Sequence, residues 1–535
     1  MSRHHLRITH ILSRTFFRKI CTHCRVGPSQ SIGGFSCDGN LGDAVQLFDK
    51  TPVSKNVVAW NLTISAHIKD KNIKLAQRLF DQMPLRDTVS WNTMLSGFRD
   101  IRDPDNVYKC FLKMRRIGDR PNELTVAIMI SAVLNEHFVC LVPQLHCFVY
   151  RFGLNVNAVL GSAVMRGYID LGNCMSLCKV FDEILEKEVT PWNVLILGYM
   201  EFGFTREARS AFDAMPEKSA FSWSTLINGY LKNNELDQAW FAFNEMSEKD
   251  VFSWTAMIKG CVQSRKFEDA FDLFVAMMKS EVRPNHYTFS SALDACSGCS
   301  SLIMGNQVHA CILKLGTPLD VILATSLIDM YAKCGDVETA CHMFDGMRKK
   351  NLASWNAVIG GCARCGLADK ALVEFDRMVE TGIQPDGITF INVLSACVHG
   401  GTVEEGERIF ASIESKYSIR PALEHYACMV DLYGRAGQLN KAKTLIEEMP
   451  YEPDVVVWGA LLGACGLHSS LQLGETAANG IYRLQEDHPA TYDLLSKMHG
   501  ESGVWTRASA VRQLMKIKNA KKQNARSWID AIGAS

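Results

Sequence analysis

The sequence has no net charge to offer a polyanion. Its 57 Lys and Arg are matched by 57 Asp and Glu. A chain that grips nucleic acid mainly through its phosphates carries a positive excess, so that mode is excluded as the dominant one. No apolar run approaches the ~18 residues that a membrane-crossing helix needs, and no membrane partner is expected. The sequence also lacks a GxxxxGK[ST] phosphate loop, a GxSxG nucleophile elbow and an HExxH zinc helix. Its 19 cysteines are odd in number and scattered through helical segments, which argues for reduced, buried small side chains in a reducing compartment. Acidic residues are missing from the first 37 positions, which carry Arg3, Arg7, Arg14, Arg18, Lys19 and Arg25 beside an Ile8/Ile11/Leu12/Phe16 stripe. An Arg-rich, Ser-containing, acid-free start is the composition of an organellar transit peptide, here placed over 1–24. The alternative is a basic tail without that role.

What is present is one segment, repeated. Residues 251–285 read VFSWTAMIKGCVQSRKFEDAFDLFVAMMKSEVRPN, and much of the chain consists of edited copies. Trp254 to Val262 has the apolar spacing of a short helix, and Ala270, Phe271, Phe274 and Met277 form the stripe of a second. Arg265 and Lys266 lie at the turn between them, where sister copies place Gly203, Gly335, Gly366 and Gly437. Pro284 closes the unit. One such hairpin cannot bury its own apolar faces, whereas stacked copies can. The tryptophans keep the register: Trp60 to Trp91, Trp192 to Trp223 and Trp223 to Trp254 are each separated by 31 residues. The sequence therefore predicts an all-α solenoid of helix-turn-helix repeats.

The copies run 57–87, 88–122, 123–157, 158–188, 189–219, 220–250, 251–285, 286–320, 321–351, 352–386, 387–422 and 423–454. An eroded copy occupies 25–56. The mixture of 31- and 35-residue units, each built on a WNxxI…G…A…LF…M(P) skeleton, resembles the plant pentatricopeptide repeats of the type that alternates repeat lengths. A tetratricopeptide array, the competing helical solenoid, keeps a steady 34-residue period. The segment 455–530 departs from the skeleton and is similar to the C-terminal extension called the E domain, with 531–535 as a tail. It still reads as helical hairpins capping the open end of the array.

The resemblance implies a right-handed superhelix that binds single-stranded RNA, one base per repeat. In this family the fifth and last residues of each repeat read the base. Here the fifth residues are Asn61, Asn92, Asn193, Ser224, Thr255, Thr325 and Asn356, closed respectively by Asp87, Asn122, Ser219, Asp250, Asn285, Asn351 and Asp386. The implied RNA is, from 5′ to 3′, U, pyrimidine, any, unassigned, C, G, A, any, A, U, any. The unassigned base faces Ser162 and Glu188, an unusual pair. Ala127 and Ile391, in units lacking the Trp, have no polar side chain to offer. The competing reading of each fifth residue is a helix N-cap. The tryptophans, one position earlier, recur with the apolar stripe and read as core, not as stacking platforms. Affinity built from many base contacts should show a shallower salt slope than that of a strongly basic binder.

Members with an E domain imply C-to-U editing of organellar transcripts, with the deaminase arriving in trans on another repeat protein, together with multiple-organellar editing factors. DNA is not an expected partner. The deaminase chemistry needs HxE followed by PCxxC. His499-Gly500-Glu501 supplies the first part, but no cysteine follows Cys465. The Cys21/Cys24, Cys296/Cys299 and Cys362/Cys365 pairs do not converge on four ligands. No enzyme activity, metal or cofactor is expected of the chain. Between Glu501 and Asp530 there is no acid, while Arg507, Arg512, Lys516, Lys518, Lys521, Lys522 and Arg526 occur. That stretch is either a solvated helix face or a contact with RNA or an acidic partner. Arg enrichment favours the mitochondrion, with the plastid as alternative. RNA splicing, stability or translation is the alternative role for the same repeats, and a protein-binding tetratricopeptide scaffold is the alternative from another class.

Overall fold

The structure, a computed structural model, describes residues 56–134, 139–485 and 488–517. They form 28 α-helices and one 3-10 turn at Val139–Leu141, with no strand among the described residues. The all-α hairpin fold expected from the repeat is therefore what is found. The transit peptide, the eroded copy at 25–56, the Cys21/Cys24 pair and the basic stretch from Lys518 onward lie outside the described residues. The chain divides into two compact units, Met1–Glu248 and Lys249–Ser535.

The first unit holds six hairpins. Their first helices are Val57–Lys69, Thr88–Asp100, Glu123–Val133, Ala158–Asp170, Val189–Glu201 and Ala220–Lys232, and successive ones pack side by side. The second unit holds eight hairpins. Its first helices are Val251–Gln263, His286–Gly298, Val321–Lys333, Leu352–Arg364, Gly387–Gly400, Leu423–Arg435, Val455–Leu467 and Pro489–Glu501.

The hairpin Val251–Gln263 and Phe267–Lys279 shows why the repeat folds this way. Asp250 caps the first helix by accepting from the Ser253 N–H at 2.8 Å, and the Ser253 side chain returns the bond to the Asp250 backbone. The turn passes through Arg265 at φ +57°, in the left-handed region that sister copies reach with Gly203 and Gly335. The second helix then presents Ala270, Phe271, Leu273, Phe274 and Met277 to the core. At some crossings of neighbouring first helices a glycine leaves room for the other helix. A Cβ on Gly361 would stand 2.5 Å from the Cβ of Ala332 on the preceding first helix.

Trp91 and Trp355 are buried and Trp192 and Trp223 half-buried, each edge-on to a Phe near the end of the preceding second helix. Ring centroids are 4.9 Å apart for Phe80–Trp91, 4.8 Å for Phe181–Trp192 and 4.5 Å for Phe212–Trp223. Phe344–Trp355 repeats the arrangement in the second unit at 4.6 Å. Such pairs add roughly 1 kcal/mol each beyond the area they bury. Successive second helices are tied on the surface by ion pairs, among them Lys113–Asp81, Arg377–Asp345 and Lys441–Glu407. Being exposed, each contributes little alone.

The last two hairpins continue the same core. Leu495 and Met498 join Leu461, Leu462, Cys465 and Ile481 in one apolar cluster with Val430 and Ile446 of the preceding hairpin. The 16 described cysteines are free, and burial pushes the thiols of Cys296 and Cys428 up to about 12. Among the described residues no group of three or more His, Cys, Asp or Glu is placed to hold a metal ion. His499 is buried and lies 3.6 Å from Glu475, while Glu501 is on the surface near Lys497.

Candidate nucleic-acid interface

Each first helix begins one residue after the close of the preceding repeat, and that closing residue is its N-cap. Asp87, Asn122, Ser219, Asp250, Asn285, Asn351 and Asp386 each accept from the backbone N–H of the third residue in the helix that follows. The capping alternative weighed for the fifth residues therefore falls on their closing partners. The fifth residues sit one turn further in, where N–H groups already bond within the helix and need no cap.

The packing of adjacent first helices brings several fifth and closing residues together. The amide of Asn61 donates to Asp87 at 3.3 Å, that of Asn92 to Asn122 at 3.1 Å and that of Asn356 to Asp386 at 3.1 Å. Thr125 and Thr389 complete two of these clusters by donating to the carbonyl oxygens of Asn92 and Asn356, each at 2.7 Å. Thr255 reaches Asn285 through Thr288, its hydroxyl standing 2.7 Å from that of Thr288, which in turn bonds Asn285 Oδ1 at 3.1 Å. Thr325 donates to the carbonyl of Val321, and Asn351 caps the next helix through the Ser354 N–H. Ser224 and Asp250 belong to different units, and each is described by itself.

The fifth residues are sunk between the helices and do not stand proud of an open wall. Asn61, Asn92, Asn193 and Ser224 are 6–9% exposed. Thr255, Thr325 and Asn356 are half-buried, and most of the closing residues are half-buried or exposed. The physical reason is that the fifth position faces the neighbouring first helix as well as the surface. In the first unit this leaves an unpaid electrostatic demand. Asn61 Oδ1, Ser162 Oγ, Asn193 Oδ1 and Ser224 Oγ are buried polar atoms without a hydrogen-bond partner. Each such group costs about 1–3 kcal/mol unless something satisfies it.

Two closing carboxylates are held in their charged form. Burial works against the charge of Asp386, but the backbone N–H and hydroxyl of Thr389 and the amide of Asn356 outweigh it and lower its pKa. Asp87 is lowered in the same way by Ser90 and Asn61 against its own burial. Both therefore present acceptor-only groups at neutral pH.

One row was missed in the sequence. The second residue of each repeat lies three positions before the fifth, on the same helix face. In nine of the twelve repeats it is a large apolar residue, Val58, Val89, Leu124, Val159 and Phe221 in the first unit and Phe252, Tyr287, Ile322 and Ile388 in the second, all 47–69% exposed; Thr190, Ala353 and Glu424 hold the position in the other three. Exposed apolar side chains beside polar pairs suit planar bases, which offer a face to stack and an edge to bond. The signal was available: an apolar residue at helix position two, out of phase with the buried stripe. Asp294 and Asp329 extend the face seven residues beyond Tyr287 and Ile322. Desolvation, then the neighbouring Asp329 carboxylate, push Asp294 up to about 6 against the opposing pull of Lys333 and Lys259.

The geometry has counterparts in known proteins. The PPR repeat pattern matches residues 58–87, 190–219, 221–251, 322–352 and 424–452, and the PPR repeat family pattern matches 86–135, 249–298 and 350–399. The E motif pattern matches 468–530. A pentatricopeptide repeat-containing protein of Arabidopsis thaliana is 35% identical over 477 residues, covering 88% of this chain and 69% of the relative. A second from the same plant, named as mitochondrial, is 35% identical over 487 residues, covering 89% of this chain and 67% of the relative. A third is 39% identical over 504 residues, covering 93% and 68%. The crystal structure of the maize pentatricopeptide repeat protein PPR10 is similar in fold, with a TM-score of 0.55 at 19% identity over 97% of this chain and 78% of that one. PPR10 in complex with an 18-nt psaJ RNA element gives 0.54 at 15% identity, covering 92% and 84%.

Proposed function

The chain belongs to the pentatricopeptide repeat family, and from that premise we propose that it is a sequence-specific binder of single-stranded organellar RNA that acts as a site-recognition factor for C-to-U editing. The observation that carries the reading is the pairing of fifth and closing side chains across repeat boundaries, Asn61 with Asp87, Asn92 with Asn122 and Asn356 with Asp386, each pair ending on a half-buried or exposed closing residue. A base edge brought against such a pair meets polar groups of the closing residue, and the exposed second residues supply the stacking surface. Within the two units the reading pairs are Asn61/Asp87, Asn92/Asn122, Asn193/Ser219, Thr255/Asn285, Thr325/Asn351 and Asn356/Asp386.

On this account the protein positions a target cytidine and leaves the chemistry to a deaminase that arrives on a partner protein. The E motif at 468–530 favours editing over splicing, stability or translation as the role. Hairpins there continue the core of the array, which suits a rigid docking end. Relatives named as mitochondrial support an organellar site of action, and the Arg enrichment of the first residues favours the mitochondrion over the plastid.

The test is a comparison of organellar cDNA with genomic sequence in a line lacking the protein. Loss of conversion at one or two cytidines is the expected result. Intact conversion with accumulation of unspliced RNA would transfer the role to splicing.

A further inference from the structure

The Cys362/Cys365 pair singled out in the sequence has a third thiol beside it. Within each unit, hairpins meet at a recurring place, where the twenty-first residue of one repeat faces the eleventh of the next. Cys178 Sγ lies 3.3 Å from Tyr199 Oη at one such place. At two others the Tyr331 and Tyr433 hydroxyls donate to Asn306 and Glu407, each at 2.9 Å. Between repeats 321–351 and 352–386 both positions are cysteine: Cys341 on the helix Val337–Gly346 and Cys362 on Leu352–Arg364. Both are free, and their thiols are in hydrogen-bond contact. Cys362 is wholly buried, whereas Cys341 keeps 8% exposure. The ammonium of Lys370, on the helix Ala368–Glu380, bonds to Cys341, and its pKa is raised, first of all by that bond. Burial pushes the Cys362 thiol up to about 12, so it stays protonated at neutral pH.

We propose that Cys341 and Cys362 form a peroxide-sensitive dithiol, which closes to a disulfide across the boundary between these two hairpins. The proposal is independent of what the array binds. Cys341 reacts first, since it alone of the two reaches the surface. Its sulfur attacks one oxygen of hydrogen peroxide and the O–O bond breaks. The departing hydroxide and the thiol proton make water, and Cys341 is left as a sulfenic acid. The Lys370 ammonium stabilises the negative charge that the sulfur carries during the attack. The Cys362 sulfur, already in contact, then attacks the Cys341 sulfur. The S–O bond breaks, and the hydroxide released takes the Cys362 proton to form a second water. Two electrons have passed from the two thiols to the peroxide, and a dithiol reductant reverses the closure. The disulfide ties Val337–Gly346 to Leu352–Arg364, the helix that carries Asn356.

The experiment treats the reduced full chain with hydrogen peroxide, blocks the remaining thiols, and maps the peptides by mass spectrometry without reduction. A peptide pair joined through Cys341 and Cys362 is expected, and it should disappear on addition of dithiothreitol. Oxidation should raise the urea midpoint of the wild-type protein, because the cross-link narrows the unfolded ensemble, and should leave that of Cys341→Ala unchanged. Lys370→Met should slow closure about tenfold, as the loss of a neighbouring cation does for a reacting thiolate. The exposed Cys365 should be alkylated at the same rate in that variant, a split that a damaged fold would not give. A Cys341–Cys362 pair that stays reduced while Cys365 is oxidised overturns the proposal. So does a link from Cys362 to Cys365 in place of Cys341. Closure of Lys370→Met at the wild-type rate overturns the part given to Lys370.

Discussion

Asp386 carries two duties that substitution can separate. It caps the helix Gly387–Gly400 by accepting from the Thr389 N–H at 2.9 Å, and it accepts from the Asn356 amide at 3.1 Å across the repeat boundary. Asp386→Ala removes both. Loss of an N-cap costs about 1 kcal/mol, and loss of a hydrogen bond to a charged acceptor about 1.5 kcal/mol. The expected destabilisation is therefore about 2–3 kcal/mol, read as a lowered urea midpoint and faster amide exchange in that helix. Asp386→Asn keeps an oxygen for the Thr389 N–H and should be nearly neutral for stability, because Asn caps as well as Asp. The pH dependence follows from the sign of the shift. A carboxyl whose pKa is lowered in the folded state from 3.8 contributes stability that is present above 3.8 and lost as pH falls through the folded value. The penalty of Asp386→Ala should thus be largest at neutral pH and shrink in acid. For RNA, Asp386→Asn exchanges an acceptor-only group for one that also donates, and should weaken the preference for U opposite this repeat. An Asn variant as unstable as the Ala variant, or one whose base preference is unchanged, would refute this division of labour.

Three further outcomes are expected. Gly361→Ala places a methyl 2.5 Å from the Cβ of Ala332 and should cost about 2 kcal/mol in a urea melt, since neither backbone can yield cheaply. Trp355→Ala empties a site 1% exposed and removes the contact with Phe344; a loss of at least about 3 kcal/mol is expected by the same melt. Asp294, pushed up to about 6, is charged above that pH and neutral below it, and on the proposed reading it belongs to the face that meets RNA. RNA affinity should fall as pH rises from 5.5 to 7.5, and Asp294→Asn should flatten the profile. The raised value also means that the stability Asp294 contributes is present below 3.8 and lost as pH rises through about 6.

The repeat was legible because it is written in large side chains at fixed spacing. Trp91, Trp192, Trp223 and Trp355 recur with the Phe partners they pack against, and a hairpin that must bury such residues has little choice but to stack. The depth of the fifth residues was not legible, because it depends on the following repeat. Asn356 is satisfied by Thr389 and Asp386, both of which lie beyond the helix that carries it. Capping also depends on a neighbour: Asp87 caps because Ser90 follows three residues on, and Glu188 does not because Pro191 does. The exposed Val58-to-Phe221 and Phe252-to-Ile388 rows escaped notice because apolar residues at a helix start suggest core until the burial of each face is known.

The measurement closest to the centre of the account is the affinity of the purified full chain for the proposed RNA against a scrambled RNA of identical composition. Binding at least about tenfold tighter to the ordered RNA, with a shallow dependence on salt, is the expected result. Equal affinity for the two would contradict the claim that the paired side chains between repeats read bases.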